Sequence, residues 1–118
     1  MRSSNAFRDF VIDQLSDLGG IRARAMFGGI GLYAGEVFFG LIASDVLYLK
    51  VDESNLARYR EASSHAFKPY ADKPMTMPYY DVPVSVLEHA ETLVDWAKAS
   101  IAVAKGSKTR TKAKAKRR

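Results

Sequence analysis

Chemistry in a chain without cysteine must come from histidine, carboxylates, hydroxyls or backbone amides, and few of these stand at working distances here. The two histidines, His65 and His89, are 24 positions apart, so neither forms the i, i+4 pair that a helical metal site needs. His89 follows Glu88 on what reads as an exposed helical turn. Asp9, Asp13 and Asp17 align at i, i+4 and i+8, a spacing that could gather a cation. Like charges at that spacing on an otherwise polar face are also the ordinary pattern of solvated helix surface, which is the reading adopted. Ser63, Ser64 and Ser85 could enter a Ser–His–acid arrangement only by spatial accident, because no nucleophile-elbow sequence surrounds them. Gly29-Ile-Gly31-Leu-Tyr-Ala34 matches the dinucleotide pattern G-x-G-x-x-A. That motif must open a helix whose amides receive pyrophosphate, whereas here it runs into another apolar strand. No cofactor, metal or catalytic residue is assigned, and the chain is read as non-enzymatic.

Aromatic side chains are the remaining candidates. The pairs Phe38-Phe39 and Tyr79-Tyr80 stand with Tyr33 and Tyr48 in or beside apolar runs. Rings on an open sheet face can stack nucleic-acid bases. The plainer reading places half of them in the core and half in a crevice between sheet and helices. Tyr33, Phe38, Tyr48 and Tyr80 are the residues singled out as a candidate pocket or interface. Arg22, Arg24 and Lys50 are the only cations in or beside these runs, fewer than a phosphate-gripping sheet usually carries.

The elements that must position these rings are legible in the hydropathy. Ile30–Ala34, Val37–Ala43 and Val46–Val51 are short apolar runs separated by Gly35-Glu36 and Ser44-Asp45. Strand-forming residues split by two-residue turns predict an antiparallel meander. The middle run is apolar on both faces and must lie centrally, covered on both sides by helices, tail segments or a second subunit. Ile21–Phe27 predicts a preceding strand. Before it, Phe7, Phe10, Val11, Leu15 and Leu18 form one stripe of a helix over Asn5–Leu18, with Ser3, Ser4 or Asn5 as N-cap and Gly19-Gly20 as terminator. After the meander, Asp52 or Ser54 can cap a short helix through Ala62 with Leu56 and Tyr59 inward. Met75, Met77 and Tyr79 share the face of a further strand, which Pro78 pushes to an edge or an irregular segment. Pro83 suits the start of a helical turn. A last stripe, Leu93, Trp96, Ala97, Ile101 and Ala104, makes a helix from Glu91 that Gly106 ends.

Charge divides the chain. Residues 105–118 hold eight Lys/Arg and no acid, while residues 1–104 hold ten Lys/Arg against thirteen acids, a net of −3. The reading is therefore one α+β domain over residues 1–104 and a disordered basic tail over 105–118, with a curved antiparallel β-meander sheet flanked by N-terminal and C-terminal helices. Lys105, Lys108, Arg110, Lys112, Lys114, Lys116, Arg117 and Arg118 are a polycation able to neutralise phosphates without reading bases. No apolar run reaches the roughly 18 residues of a membrane span and no signal peptide opens the chain, so it is read as cytoplasmic.

Ala-Arg-Ala-Met-Phe-Gly-Gly-Ile-Gly-Leu-Tyr, Val-Phe-Phe-Gly-Leu-Ile-Ala, Leu-Tyr-Leu-Lys-Val-Asp, Pro-Met-Thr-Met-Pro-Tyr-Tyr-Asp-Val-Pro and Leu-Val-Asp-Trp-Ala, in this order, resemble the N-terminal domain of the TfoX/Sxy family over Phe7 to Ala104. The resemblance implies the same α+β fold. It also implies a tie to transcription, because that family includes bacterial competence regulators that act with the cyclic-AMP receptor protein at promoters. Those regulators carry a second, C-terminal helical domain, where this chain has its basic tail. No catalytic motif carries over from the family to positions of this sequence.

The leading reading is a regulatory or adaptor domain with a protein partner in transcription and weak, non-specific nucleic-acid binding through the tail. The alternatives are a small-ligand or enzymatic domain with a pocket lined by Tyr33, Tyr48 and Tyr80, and a homodimer whose tail only aids solubility. Because the apolar stripes end at Ala104, deleting residues 106–118 should change stability by less than about 0.5 kcal/mol. Thermal melts of full-length and truncated protein measure this directly; a large loss would mean that the tail packs.

Overall fold

The computed structural model describes residues 5–26, 28–68 and 77–117, with side chains described as far as Gly106. Four strands follow one another as hairpins: β1 (Ile21–Met26), β2 (Gly29–Ala34), β3 (Val37–Ala43) and β4 (Val46–Lys50). Two more, β5 (Ala66–Phe67) and β6 (Met77–Asp81), complete an open antiparallel sheet of order β1-β2-β3-β4-β6-β5. Helices α1 (Asn5–Gln14), α2 (Leu56–Glu61), α3 (Val84–Leu87) and α4 (Ala90–Arg117) complete the α+β fold. The apolar residues they bury, Val11, Tyr59, Val86, Leu93 and Ala97, join one cluster with Ile30, Leu32, Phe39, Ile42, Leu47 and Leu49 of the sheet. The meander and its flanking helices thus stand where the hydropathy puts them.

A bulge decides how β3 meets its neighbours. Leu32 pairs with Gly40 and Tyr33 with Phe38, so Phe39 is one residue in excess. The extra residue resets the alternation. Phe39 and Ile42 enter the helix-side core, while Phe38 and Leu41 face the other way. The doubly apolar strand is therefore covered on one side by α4 and on the other by side chains of neighbouring strands.

Several boundaries differ from the sequence reading. Helix α1 stops at Gln14, and a 3-10 turn at Ser16–Leu18 follows it. Phe10, counted in the apolar stripe, is 40% exposed beside Phe7. Strand β6 is not at the edge; it lies between β4 and β5. Pro78 is accommodated because Ala66 pairs with Tyr80 and Phe67 with Met77, which leaves it in an irregular stretch where no N–H is required. Its carbonyl still accepts from the Val51 amide at 2.9 Å. Helix α4 runs through Gly106 to Arg117, so the boundary drawn at 104/105 falls inside one helix. Glycine costs only about 1 kcal/mol against alanine in a helix, and the Lys, Arg and Ala that follow are good helix formers. Ser3, Ser4, Phe27 and Met75 lie outside the described residues, as do Arg118 and the tail side chains after Gly106.

The buried polar groups Asn55 and Ser100 both serve the end of β4. The Lys50 carbonyl accepts from Asn55 Nδ2 at 3.1 Å and from Ser100 Oγ at 2.7 Å. Asn55 Oδ1 in turn accepts from the Asp52 amide at 2.8 Å. Asn55, rather than Asp52 or Ser54, precedes the first turn of α2. At the other end of α2, the Ser64 amide donates to the Tyr59 carbonyl and the Ser63 amide to the Arg60 carbonyl, the pattern of a Schellman motif. Ser63 occupies its left-handed position with φ 56°, where glycine is the usual residue. Ser63→Gly should accordingly raise stability by about 1 kcal/mol. Urea titrations of the two proteins check this; an unchanged or lower midpoint would refute it.

Candidate functional site

Among the described residues, the sheet has one face against helices and one face without them. Among the described residues, the second cluster draws only on strands: Ala43, Phe67 and Tyr79 buried, with Phe38, Leu41, Tyr48 and Met77 half-buried around them. Alternation along each strand accounts for its membership. Ile21 and Ala23 of β1 pack toward the helices, which sends Arg22, Arg24 and Met26 to the outer face. In β4, Leu47 and Leu49 enter the core while Tyr48 and Lys50 point outward, and in β6 Tyr80 goes inward while Met77 and Tyr79 go outward.

The outer rings touch in two groups. Tyr33 and Phe38 stand 5.2 Å apart between centroids, and Phe38 and Tyr79 stand 5.6 Å apart. Tyr48 meets Phe67 edge-on at 4.9 Å. Gly31 allows the first group to lie down on the sheet, because a Cβ there would run into Met26 Sδ and would sit 3.0 Å from Phe38 and 3.3 Å from Tyr33. Cations flank the rings. The Arg24 guanidinium lies 5.8 Å from the Tyr33 centroid and Lys50 Nζ lies 5.2 Å from that of Tyr79. Arg22, opposite Tyr33 in the register, donates to the Gly35 carbonyl at 2.9 Å.

Burial pushes the Tyr79 phenol up to about 12, with Tyr33 adding to the effect. The Tyr48 phenol is raised too, first by burial and then by the Asp81 carboxylate opposite it. Asp81 is itself occupied: one oxygen accepts from the His65 amide at 2.8 Å and the other lies 3.7 Å from the His65 ring. On the helix side, burial raises Tyr59 to about 12, against smaller opposing effects of Ser100 and Arg58; its hydroxyl has no hydrogen-bond partner of good geometry.

Of the four aromatic candidates, the structure brings Tyr33, Phe38 and Tyr48 to one face and separates Tyr80 from them. Tyr80 sits across the sheet, 5.9 Å from Tyr59, which in turn meets Trp96 edge-on at 4.7 Å. Both adjacent pairs are split by the sheet, with Phe38 and Tyr79 outside and Phe39 and Tyr80 inside. A single pocket lined by Tyr33, Tyr48 and Tyr80 is therefore not formed. The expectation that the non-core rings fill a crevice beneath the helices gives way to a half-exposed aromatic face on the opposite side. Phe67, Tyr79 and Met26 belong to that face and were not chosen from sequence. The shared parity of Met77 and Tyr79 was visible there, but not which strands would be their neighbours.

The other candidates are scattered. Asp9, Asp13 and Asp17 are all exposed, and Arg8 pairs with Asp9 at 3.0 Å. His89 Nδ1 lies 2.7 Å from the Ser85 carbonyl, where a protonated nitrogen donates to close the turn before α4. The Gly29–Ala34 pattern is strand β2 throughout. Of the tail cations, only the Lys105 side chain is among those described, and it is exposed. Among the described residues, no helix is long and apolar enough to cross a membrane.

These features define an α+β domain with its helices on one face of an open antiparallel sheet and an aromatic, cation-flanked surface on the other. The sequence model of the TfoX N-terminal domain matches residues 13–104, from within α1 to the onset of the basic stretch, and the chain belongs to that family. No curated protein matches it.

The raised phenols make stability depend on alkaline pH. A phenol that ionises near 10 when unfolded and near 12 when folded leaves the folded state holding more protons in between. Its contribution is complete below pH 10 and is lost as pH rises toward 12. For Tyr59 this amounts to about 3 kcal/mol. Tyr59→Phe and Tyr79→Phe should each flatten the fall in stability between pH 10 and 12, as measured by denaturant unfolding across that range. An unaltered pH dependence in both variants would show that these phenols do not carry it.

Proposed function

We propose that this is a non-enzymatic cytoplasmic adaptor domain of bacterial transcription, whose globule engages a protein partner while the basic stretch holds the complex near nucleic acid. The observation that carries the reading is the separation of charge. Eight cations and no acid lie in residues 105–118, against a globule of net charge −3. A globule of that sign adds little attraction to phosphate, so the tail supplies it without reading bases. Membership of the TfoX N-terminal domain family supports the tie to transcription, by way of the resemblance to the competence regulators.

Binding by the tail is weak, indifferent to sequence and steep in salt. With about four to six cations engaged on duplex DNA, log K against log salt should slope near −4 to −5. Full-length and tail-deleted proteins compared at about 150 mM salt, on random and promoter duplexes, test the assignment. Loss of duplex binding on deletion supports it, and equal affinity of the two proteins would place the duplex site on the globule. Pull-down from the native host with each protein then identifies the partner, which the globule alone should retain.

A further inference from the structure

We propose that the outer face of the sheet is a binding platform for single-stranded nucleic acid, with Tyr33, Phe38 and Tyr48 stacking unpaired bases and Arg22, Arg24 and Lys50 taking the phosphates. This goes beyond the attraction of the tail for phosphate and does not depend on it.

Ring exposure is the first argument. Tyr33, Phe38 and Tyr48 are half-buried, so each keeps surface in reach of a ligand, while the buried rings of Tyr79 and Phe67 pack beside Phe38 and Tyr48 on the same face. Tyr33 on β2 stands opposite Phe38 and Tyr48 on β4 opposite Leu41, so they are two strands apart and offset along β3, roughly 13 Å in all, which suits separate bases of one extended strand. Sheet aromatics that stack two or three bases are an established mode of single-strand recognition.

Charge selects the ligand. All three cations of the meander fall on this face by alternation, although the globule as a whole is acidic. Asp81 is the acid in register with this set, and it is engaged by His65. Asp9, Asp13 and Asp17 belong to the segment that packs on the opposite side. A second copy docked face to face would bring two patches of the same charge, each with Arg22, Arg24 and Lys50, into one interface, because a two-fold contact uses the same surface on both copies. An anionic polymer with flat apolar faces meets both the rings and the cations. Duplexes hide their base faces, and a broad sheet does not enter a groove, which leaves the single strand.

The test uses the full chain with labelled oligo-dT, oligo-U and a duplex as probes at about 150 mM salt. Base stacking corresponds to about 5- to 100-fold in affinity per ring. Tyr33→Leu combined with Tyr48→Leu should weaken binding of either single strand by at least about tenfold and leave duplex binding unchanged. Arg24→Gln, at an exposed position, should weaken single-strand binding by a few-fold without loss of fold. Neutralising Lys108, Lys112 and Lys116 to Gln should lower duplex and single-strand binding together, which separates the tail from the face. Ultraviolet cross-linking of the wild-type chain to oligo-U, mapped by mass spectrometry, should mark peptides of β2, β3 and β4 whether or not the variants fold well. Cross-links confined to the tail, or ring variants that bind single strands like wild type, would overturn the proposal. Sedimentation showing a wild-type dimer that the ring variants break would overturn it as well, in favour of a self-interface.

Discussion

The carbonyl of Lys50 holds the two halves of this fold in register. It is the last group of β4, where the chain leaves the meander, and it accepts hydrogen bonds from Asn55 before α2 and from Ser100 on α4. A carbonyl can take two donors, and the buried side chains of Asn55 and Ser100 meet at this one. The bonds determine where α2 begins and how far along β4 the long helix lies. The adjacent amide of Val51 donates to Pro78 and so brings in β6. Loss of either side chain would leave the Lys50 carbonyl with a single donor, at a cost of about 0.5–1.5 kcal/mol. Lys50 also links the two faces, because its side chain lies over Tyr79 on the outer side while its carbonyl is tied to the helices on the inner side.

From that anchor the sheet sorts side chains by parity. Helices α1 to α4 cover the inner parity, including Phe39, Leu49 and Tyr80, in one continuous core. The outer parity gathers rings and cations that composition alone does not place together. The Phe39 bulge makes the sorting possible, since without the extra residue Phe39 and Ile42 would lie on opposite faces. The same geometry that completes the core therefore exposes Phe38 beside Tyr33. In this domain the core and the candidate recognition surface are two consequences of one register.

Electrostatically the molecule is three parts: helices and turns that carry most of the acids, an outer sheet face with three cations, and a basic C-terminal stretch. A polyanion approaching the chain meets attraction at the last two and repulsion elsewhere. The proposed functions divide along these lines. The tail acts through charge alone, whereas the outer face adds flat apolar surface to charge, and so could discriminate unpaired from paired bases. Membership of the TfoX N-terminal domain family covers the sheet and helices but stops short of the basic stretch.

Much of this was legible in the chain. Ile30–Ala34, Val37–Ala43 and Val46–Val51 announced a meander because alternation and two-residue turns act over a few residues, and the stripes of the terminal helices did the same. The charge split at residue 105 is arithmetic. Local reading failed where non-local partners decide the outcome. Pro78 looks like an edge residue until the pairing of β6 with Ala66 and Phe67 passes over it, and Gly106 looks like a terminator although nothing in a helix forbids it. Tyr80 has the same composition and neighbourhood as Tyr79, yet Tyr80 packs toward the helices and Tyr79 is buried among the strand side chains of the outer face. The sequence by itself determined most of the elements, their order and the family, though not the short strand at Ala66–Phe67, because hydropathy, turn chemistry and net charge are local sums. Only the tertiary structure decided which parity of each strand faced the helices, and hence that Tyr33, Phe38, Tyr48, Arg24 and Lys50 share one surface. Strand order and bulge position are set by packing between residues far apart in the chain.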